Sequence, residues 1–471
     1  MIGINLRKLI ECCLFVITNC GLDYTAPMDT SLEDFLTRHH IHEVECVIPD
    51  MTGIARGKIL PRDLFLASGE MRIPKSVLLN TVNGQQPDNG PFVGDTDPDM
   101  VCKPDGATVR IVPWAAEPVA VVIHDCEEWD GRMVQLSPRA VLRRVLALYE
   151  RQGWKPVVAP EMEFYLVARQ QNPHEPLQPP LGRTGKPEVG RQSYSIDAVN
   201  DFDPFFMELS AFCAQHRLGV ETLIHEAGPG QMEINFTHGD PLELADRVFL
   251  FKRAVRETAL RHGVFATFMA KPMEGEPGSA MHIHQSISDA DGHNIFSRPD
   301  GTASELFHYF IGGLQTYIPQ VMPMFAPYVN SYRRLAPYMS APINVRWGYD
   351  NRTCGIRVPK SGPANRRVEN RVPGVDANPY LAMAATLACG WLGMRDHLQP
   401  SDPTEDSAWN VSHELPRHLE DAIEVMRVCE PMKDVLGDTF VDAFCAVKEL
   451  EYATYNRVIS SWEREHLLLL V

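Results

Sequence analysis

Residues 330–371 set eight arginines against two carboxylates, Asp350 and Glu369. Arginine's planar fork grips carboxylate or phosphate oxygens through two parallel hydrogen bonds and keeps its proton when partly buried. A cluster of that density points to a pocket for several phosphates and a substrate carboxylate. At its end Arg367, Glu369 and Arg371 alternate. On a strand the three share one face, where Glu369 can hold a metal between two anion-binding guanidiniums. The same alternation fits a solvated edge strand whose ion pairs are worth little, and the triplet alone does not separate the two.

Three further clusters put charged groups at strand or turn spacing. Glu161 and Glu163 follow the apolar residues 157–159. At i and i+2 both carboxylates point to one strand face, where they repel. A divalent cation between them removes the conflict, and oxygen ligands suit magnesium or manganese. Two solvated glutamates are the plainer reading of the pair alone. In HEAGPGQME, residues 225–233, the glycines and proline permit a sharp turn that returns Glu233 beside Glu226. In GSAMHIHQS, residues 278–286, His282, His284 and Ser286 share a strand face behind a small-residue turn that lets a ligand approach the backbone. A His-x-His pair by itself is more often structural or accidental, but five nearby candidate glutamates turn this one toward metal ligation. Asp50, in the turn at residues 49–53, is on its own an ordinary Asp-containing turn.

The elements that must position these groups divide near Leu136. Before it, short apolar runs at 44–48 and 119–123, broken by Pro- and Gly-rich turns around 85–94, read as a small β-rich domain over 29–135. Ser137 as N-cap and Pro138 in the first turn open a helix with Val141, Leu142, Val145 and Leu148 on one side. This starts a larger domain over 136–471. Residues 170–192 read as an exposed loop, and Asn378-Pro379 introduces an apolar helix over 381–394. No internal repeat is present. Residues 1–28 hold Arg7 and Lys8 before an apolar stretch at 9–18, too short to span a bilayer and interrupted by Glu11. They are expected to be an upstream start or a loosely attached arm, with Met28 the alternative first residue and a signal peptide the minority reading.

The chain's 471 residues, 44% hydrophobic, can bury a sizeable core in two or three domains. A formal charge of −17 argues against nucleic acid or an anionic membrane as partner. It suits an enzyme that draws in metal ions and protonated amines, although acidity also simply keeps a large protein soluble. Eleven cysteines without a C-x-x-C pair point to a reducing compartment, hence the cytoplasm, and to no disulfide framework.

Taken together, PEMEFYL, HEAGPGQMEINF, the 271–286 stretch, NSYRRLAP, NRTCGIRVP and RRVENRVPGVDANPYL resemble the glutamine synthetase family, in order, across about residues 43–455. The resemblance implies an α+β fold: a small β-grasp-like N-terminal domain and a large catalytic domain whose antiparallel strands form a bifunnel. It also implies stacked rings, a homododecamer with active sites shared between neighbours. Carried over residue by residue, Glu163, Glu226 and Glu233 would hold one divalent metal and Glu161, His282 and Glu369 another. His284, Ser286, Arg357 and Arg367 would face ATP. Arg334 and Arg371 would hold a glutamate carboxylate, Gly278 would offer backbone to the other end of that amino acid, and Arg352 would lie near the transferred phosphoryl group. The implied chemistry takes ATP as co-substrate with two or three magnesium or manganese ions. A carboxylate will not accept an amine directly because its oxygen is too poor a leaving group, so it is first phosphorylated by ATP, and an amine then attacks the acyl phosphate and displaces phosphate. Attack needs the free base, and Asp50, from across a subunit boundary, is the candidate to take the proton.

Departures from the family pattern redirect the acceptor. Where an ammonia-using member has a flap glutamate, this chain reads Tyr338-Met339-Ser340, and Pro277 and Ala280 replace an Asn and a Gly near the substrate amino group. Losing the flap carboxylate removes a negative wall and opens room for a substituent on nitrogen. With Tyr194-Ser195-Ile196-Asp197, which places Tyr194 at the substrate, these changes resemble the γ-glutamylpolyamine synthetase branch. The expectation is therefore a ligase of glutamate and a small organic amine, polyamine or monoamine. Ordinary glutamine synthesis is the alternative, and a non-catalytic ring or nitrogen-responsive partner a third. The segment where some relatives are adenylylated, 405–414 here, contains no tyrosine.

Overall fold

The apolar runs at 44–48 and 119–123 lie side by side at the centre of a mixed sheet in the computed structural model, which describes residues 31–471. The arm expected over 1–28 lies outside the described residues. The strands of this sheet are β1 (Glu43–Pro49), β2 (Ala55–Pro61), β3 (Met71–Pro74), β4 (Asp99–Pro104), β5 (Arg110–Ile111) and β6 (Val119–Glu127). Their order is β2-β1-β6-β4-β3, with β5 also on β6. β1 and β6 are parallel, Val44 opposite Ala120 and Val47 opposite Ile123, and both are buried. Central strands covered on both faces read as continuous apolar runs for that reason.

The second sheet carries the charged clusters. It consists of β7 (Lys155–Ala168), β8 (Val220–His225), β9 (Gln231–Phe236), β10 (Val264–Thr267), β11 (Met281–Ser288), β12 (Trp347–Tyr349), β13 (Ile356–Val358) and β14 (Val368–Asn370). The order is β12-β13-β14-β11-β7-β9-β8, with β10 also on β7. All pairs are antiparallel except β12 with β13. The pleat sorts each strand. On β7, Met162, Phe164 and Leu166 are buried in the main core, and the interleaved Glu161 and Glu163 face the clusters. On β11, Ile283, Gln285 and Ile287 are buried behind His282 and His284.

Four helices matter for positioning: α1 (Pro138–Glu150), α2 (Pro241–Arg261), α3 (Glu305–Tyr317) and α4 (Pro379–Arg395). Ser137 stands at the N-cap of α1, but its side chain makes no capping bond, and Pro138 with its fixed φ makes the start. Asn378 does cap α4, accepting the Tyr380 and Leu381 N–H groups. α4 is apolar on all sides and buried along nearly its whole length, as a helix without a polar face must be. It meets α3 at Gly313 and Gly393, where a Cβ on Gly313 would stand 2.6 Å from the Gly393 Cα, so only glycine permits the approach. Phe251 of α2 lies against Phe164 and Phe236 under the sheet.

Arg139, fully buried in the first turn of α1, ties the first sheet to helix α2. Its guanidinium meets Asp246 of α2 at 3.0 and 2.8 Å, Asp125 of β6 at 2.5 Å and Asp105 at 2.8 Å. Tyr380 Oη donates to Asp246 at 2.6 Å. Arg143 also reaches Asp105 and Asp125, so removing Arg139 would strand Asp246 above all. Arg139→Ala is expected to lower the unfolding free energy in urea by about 3–5 kcal/mol, the scale for breaking one side of a buried ion pair. A loss below about 1 kcal/mol would show that the network is stabilised without this arginine.

Candidate active site

Glu163, Glu226 and Glu233 each offer an oxygen, and the three oxygens lie within 4.8 Å of one another. Register accounts for two of them: Glu163 on β7 stands directly opposite Glu233 on β9. Glu226 stands one residue beyond β8. It arrives through a tight turn in which Glu226 N–H donates to the Gln231 carbonyl at 2.8 Å and Gly230 takes a left-handed φ of 73°. Burial pushes all three carboxyl pKa values above their ordinary range. Glu226 adds to the rise in Glu163, and Glu163 to that in Glu233. Glu163 and Glu233, pushed up to about 8 and about 9, keep protons at neutral pH unless a cation replaces them, and an all-oxygen donor set fits magnesium or manganese.

The second cluster is a row across four strands. Arg357 of β13 is opposite Glu369 of β14, Glu369 opposite His284 of β11, and the adjacent His282 opposite Glu161 of β7. Glu161, His284 and Glu369 offer atoms within 4.8 Å of one another. His284 Nε2 is 2.8 Å from Glu161, and His282 Nδ1 is 3.4 Å from Glu161 and 3.9 Å from Glu369. Burial would raise both carboxyls, but the imidazoles beside Glu161 hold it far below the usual range, and Arg371 with His284 and His282 holds Glu369 at about 2. Burial, reinforced by Arg371, keeps His282 at about 4 and therefore neutral at pH 7. A neutral ring can carry its one proton on Nε2, which is buried without a partner, leaving Nδ1 between the two carboxylates as a ligand. His284 differs, because its Nδ1 accepts the Arg367 Nε–H at 3.2 Å, which puts its proton on Nε2 toward Glu161.

The arginines converge here with one change from the alternation. Glu369 is flanked by Arg371 at 2.5 Å and Arg357 at 2.7 Å, whereas Arg367 turns to His284. Strand β14 spans only residues 368–370, so Arg367 lies outside it and is not held to its face. Nε of Arg357 and Nε of Arg371 are buried donors without partners, the kind of group that marks where a ligand sits. Arg334 is buried and donates to the carbonyls of Arg371 and Val372. A Cβ on Gly278 would lie 2.6 Å from Arg334 Cγ, so glycine is required where the two meet. Arg352 is exposed, and its charge draws down the Glu226 pKa against burial. Ser286 is half-buried on β11.

Ser340 and Tyr194 are exposed and both take left-handed φ, 61° and 62°. Asp50 is fully buried in the β1–β2 turn. It accepts hydrogen bonds from Thr52 N–H and Oγ1, Ile54 N–H and Arg56 Nε, and its recorded partners include no residue of the two clusters. Sequence reasoning gave no role to Gln231, although it stands inside a quoted motif. Its Nε2 donates to Gly278 O at 3.1 Å, Glu163 Oε2 at 3.3 Å and Ser279 Oγ at 3.3 Å. It also missed Glu188, 3.1 Å from His225. A lone glutamate in a Pro- and Gly-rich stretch carries no periodic signal.

Residues 135–467 match the family model for the glutamine synthetase catalytic domain. Glutamate–isopropylamine ligase of a Pseudomonas species is 33% identical over 444 residues, 92% of this chain and 96% of that protein. Gamma-glutamylputrescine synthetase PuuA of Escherichia coli K12 is 34% identical over 434 residues, 90% and 91% of the two chains. A glutamine synthetase of Pyrococcus woesei is 32% identical over 452 residues, 91% and 96%. Among solved structures, a GmaS/ADP complex superposes with a TM-score of 0.78 at 27% identity, over 93% of this chain and 99% of that one.

The raised carboxyls give a testable linkage. Manganese binding near pH 7 should release roughly one to two protons, read as a dependence of the binding enthalpy on the buffer's ionisation enthalpy. A buffer-independent enthalpy would mean that the trio is already ionised. Because the folded-state values lie above the unfolded ones, the metal-free fold should lose stability as pH rises from the ordinary carboxylate range toward the folded values, and the loaded protein should not.

Proposed function

Because the chain belongs to the glutamine synthetase family of ligases, we propose that it joins the γ-carboxylate of glutamate to an organic amine, polyamine or monoamine, through a γ-glutamyl phosphate. The observation that carries the acceptor reading is Ser340. An exposed serine stands on the flap where the resemblance places a carboxylate in ammonia-using members. Without that charge the pocket loses the group that suits ammonium and gains room for a carbon substituent. The two glutamate–amine ligases among the relatives support this reading. Identity does not separate them from glutamine synthetase at 32%.

The family uses ATP and divalent metals, and the two clusters fit such ions. Glu163, Glu226 and Glu233 would hold one, and Glu161, His282 and Glu369 the other. Bound there, two or three magnesium or manganese ions would neutralise the triphosphate and stabilise charge on the transferred phosphoryl. Arg357, Arg367, His284 and Ser286 face the nucleotide, and the free Nε of Arg357 gives it a donor beyond its bond to Glu369. Arg371, braced by Arg334, receives the amino-acid carboxylate through its free Nε, while Gly278 lets the substrate lie close to backbone. Arg352 stands near the phosphoryl group in transfer. Tyr194 and Ser340 border the amine, and Asp50 of a neighbouring copy takes its proton. In its own chain Asp50 bonds only to Thr52, Ile54 and Arg56 and reaches neither cluster, so that role needs a shared site, in keeping with a homododecameric ring, and the release of one of those bonds. The exposed Trp462 and residues 468–471, all apolar, support self-association. Among the described residues no helix is long and apolar enough to cross a membrane, and eight cysteines are buried and free. The second finding supports a cytoplasmic location.

Phosphate release with ATP, metal and glutamate should be measured while the acceptor is varied across ammonium, putrescine, spermidine, short alkyl monoamines and aromatic amines. One amine class is expected to exceed ammonium by at least about tenfold in kcat/KM. Preference for ammonium would restore glutamine synthesis, and no glutamate- and acceptor-dependent turnover would leave the non-catalytic reading. Ser340→Glu should cut kcat/KM for the preferred amine by about tenfold or more while sparing ammonium.

A further inference from the structure

Residues 183–194 are exposed along their length with one exception, Glu188, whose side chain is only 12% exposed. Its Oε2 lies 3.1 Å from His225 Nε2 and accepts the Gly230 N–H at 2.7 Å, and its Oε1 is buried without a partner. His225 closes β8, and Gly230 precedes β9. The turn between them carries Glu226. The His225 side chain is fully buried, with Nδ1 2.7 Å from the Glu226 carbonyl. The His225 carbonyl in turn accepts the Tyr194 N–H at 2.8 Å. One carboxylate thus joins both limbs of the Glu226 turn, and the same histidine holds the loop a second time at Tyr194.

The need for such a brace follows from the sheet. Glu163 and Glu233 are placed by the β7–β9 register, whereas Glu226 lies beyond the end of β8 and is tied to β9 by one backbone bond, its N–H to the Gln231 carbonyl.

We propose that Glu188 is a positioning residue: it pins residues 183–194 onto the 226–230 turn and so sets Glu226 against Glu163 and Glu233, and Tyr194 beside the amine. This rests on the metal and acceptor roles proposed above. Groups that orient a ligand from behind act on affinity and turnover without touching the ion.

The test compares Glu188→Ala, Glu188→Gln and, on the same loop, Lys186→Ala. Manganese affinity is read by calorimetry, and KM and kcat are read separately for amine and ATP. Glu188→Ala should weaken manganese binding by about 10–100-fold and raise KM for the amine more than for ATP. Glu188→Gln, which keeps an oxygen for the Gly230 N–H, should fall between it and wild type, and Lys186→Ala should match wild type. A folded Glu188→Ala with wild-type affinity and kinetics overturns the inference and leaves Glu188 a loop-stabilising residue. If that variant does not fold, Glu188→Gln decides on the same readouts. Wild-type protein that binds no manganese overturns the ligase reading and this inference together. Wild type that binds and turns over beside an equally competent Glu188 variant overturns this inference alone.

Discussion

Like-charge repulsion inside a water-poor site is the constraint on which the rest depends. Glu163, Glu226 and Glu233 crowd within 4.8 Å, a distance at which ionised carboxylates repel strongly unless something positive stands among them. Only a stiff support holds them there. Glu163 is fixed from several sides: by its register with Glu233, by the Ala280 N–H at 2.8 Å and by Gln231 at 3.3 Å. The neighbouring row handles the same difficulty differently. Glu369 is already held between two guanidiniums, which compensate its charge, and Glu161 lies 2.8 Å from His284 Nε2, which gives it a hydrogen-bond donor from the protein itself. One cluster thus depends on an external cation more than the other, although they share strand β7.

Stiffness comes from behind the sheet. The side of β11 opposite the histidines presents Gln285, whose amide, together with Asn370, is hydrogen-bonded to Thr386 on the buried helix α4. α4 in turn lies against α3 closely enough to require facing glycines. Side chains buried in rotamers against such a slab leave the charged face little room to relax. The Arg139 network then fixes this block to the first sheet, which presents Asp50 on its β1–β2 turn while Asn378, the cap of α4, donates to the Asp50 carbonyl at 2.9 Å.

Much of the site was legible in the sequence because charged residues at i and i+2 beside apolar runs leave few alternatives to a strand with one polar face. Glu161 with Glu163 and His282 with His284 are of this kind, and the apolar central strands β1 and β6 were equally plain. What escaped depends on contacts between elements distant in sequence. The alternation in 367–371 did not disclose that β14 is three residues long, so the partner of Arg367 became His284 and the second guanidinium on Glu369 came from β13. Ser137 occupies the expected cap without using its hydroxyl, since cap preference is a tendency of residue type and not of a particular bond. Gln231 and Glu188 gain their roles only when the turn and the loop are folded together, and no spacing rule encodes that.

The two-sided use of β7 and β11 also limits how this chain can diverge. Each strand spends its odd and even positions on different tasks, so deleting one residue before Glu161 would turn both glutamates toward the hydrocarbon core and expose Met162 and Phe164 in their place. Gradual compensation is hard there, because every position beyond the deletion changes sides at once. Insertions and deletions should therefore be tolerated best in the connections, above all in 170–187 and the flap around Ser340, which do not belong to the sheet. New acceptors would be acquired in the descent of such a chain by editing loops over an unchanged catalytic floor.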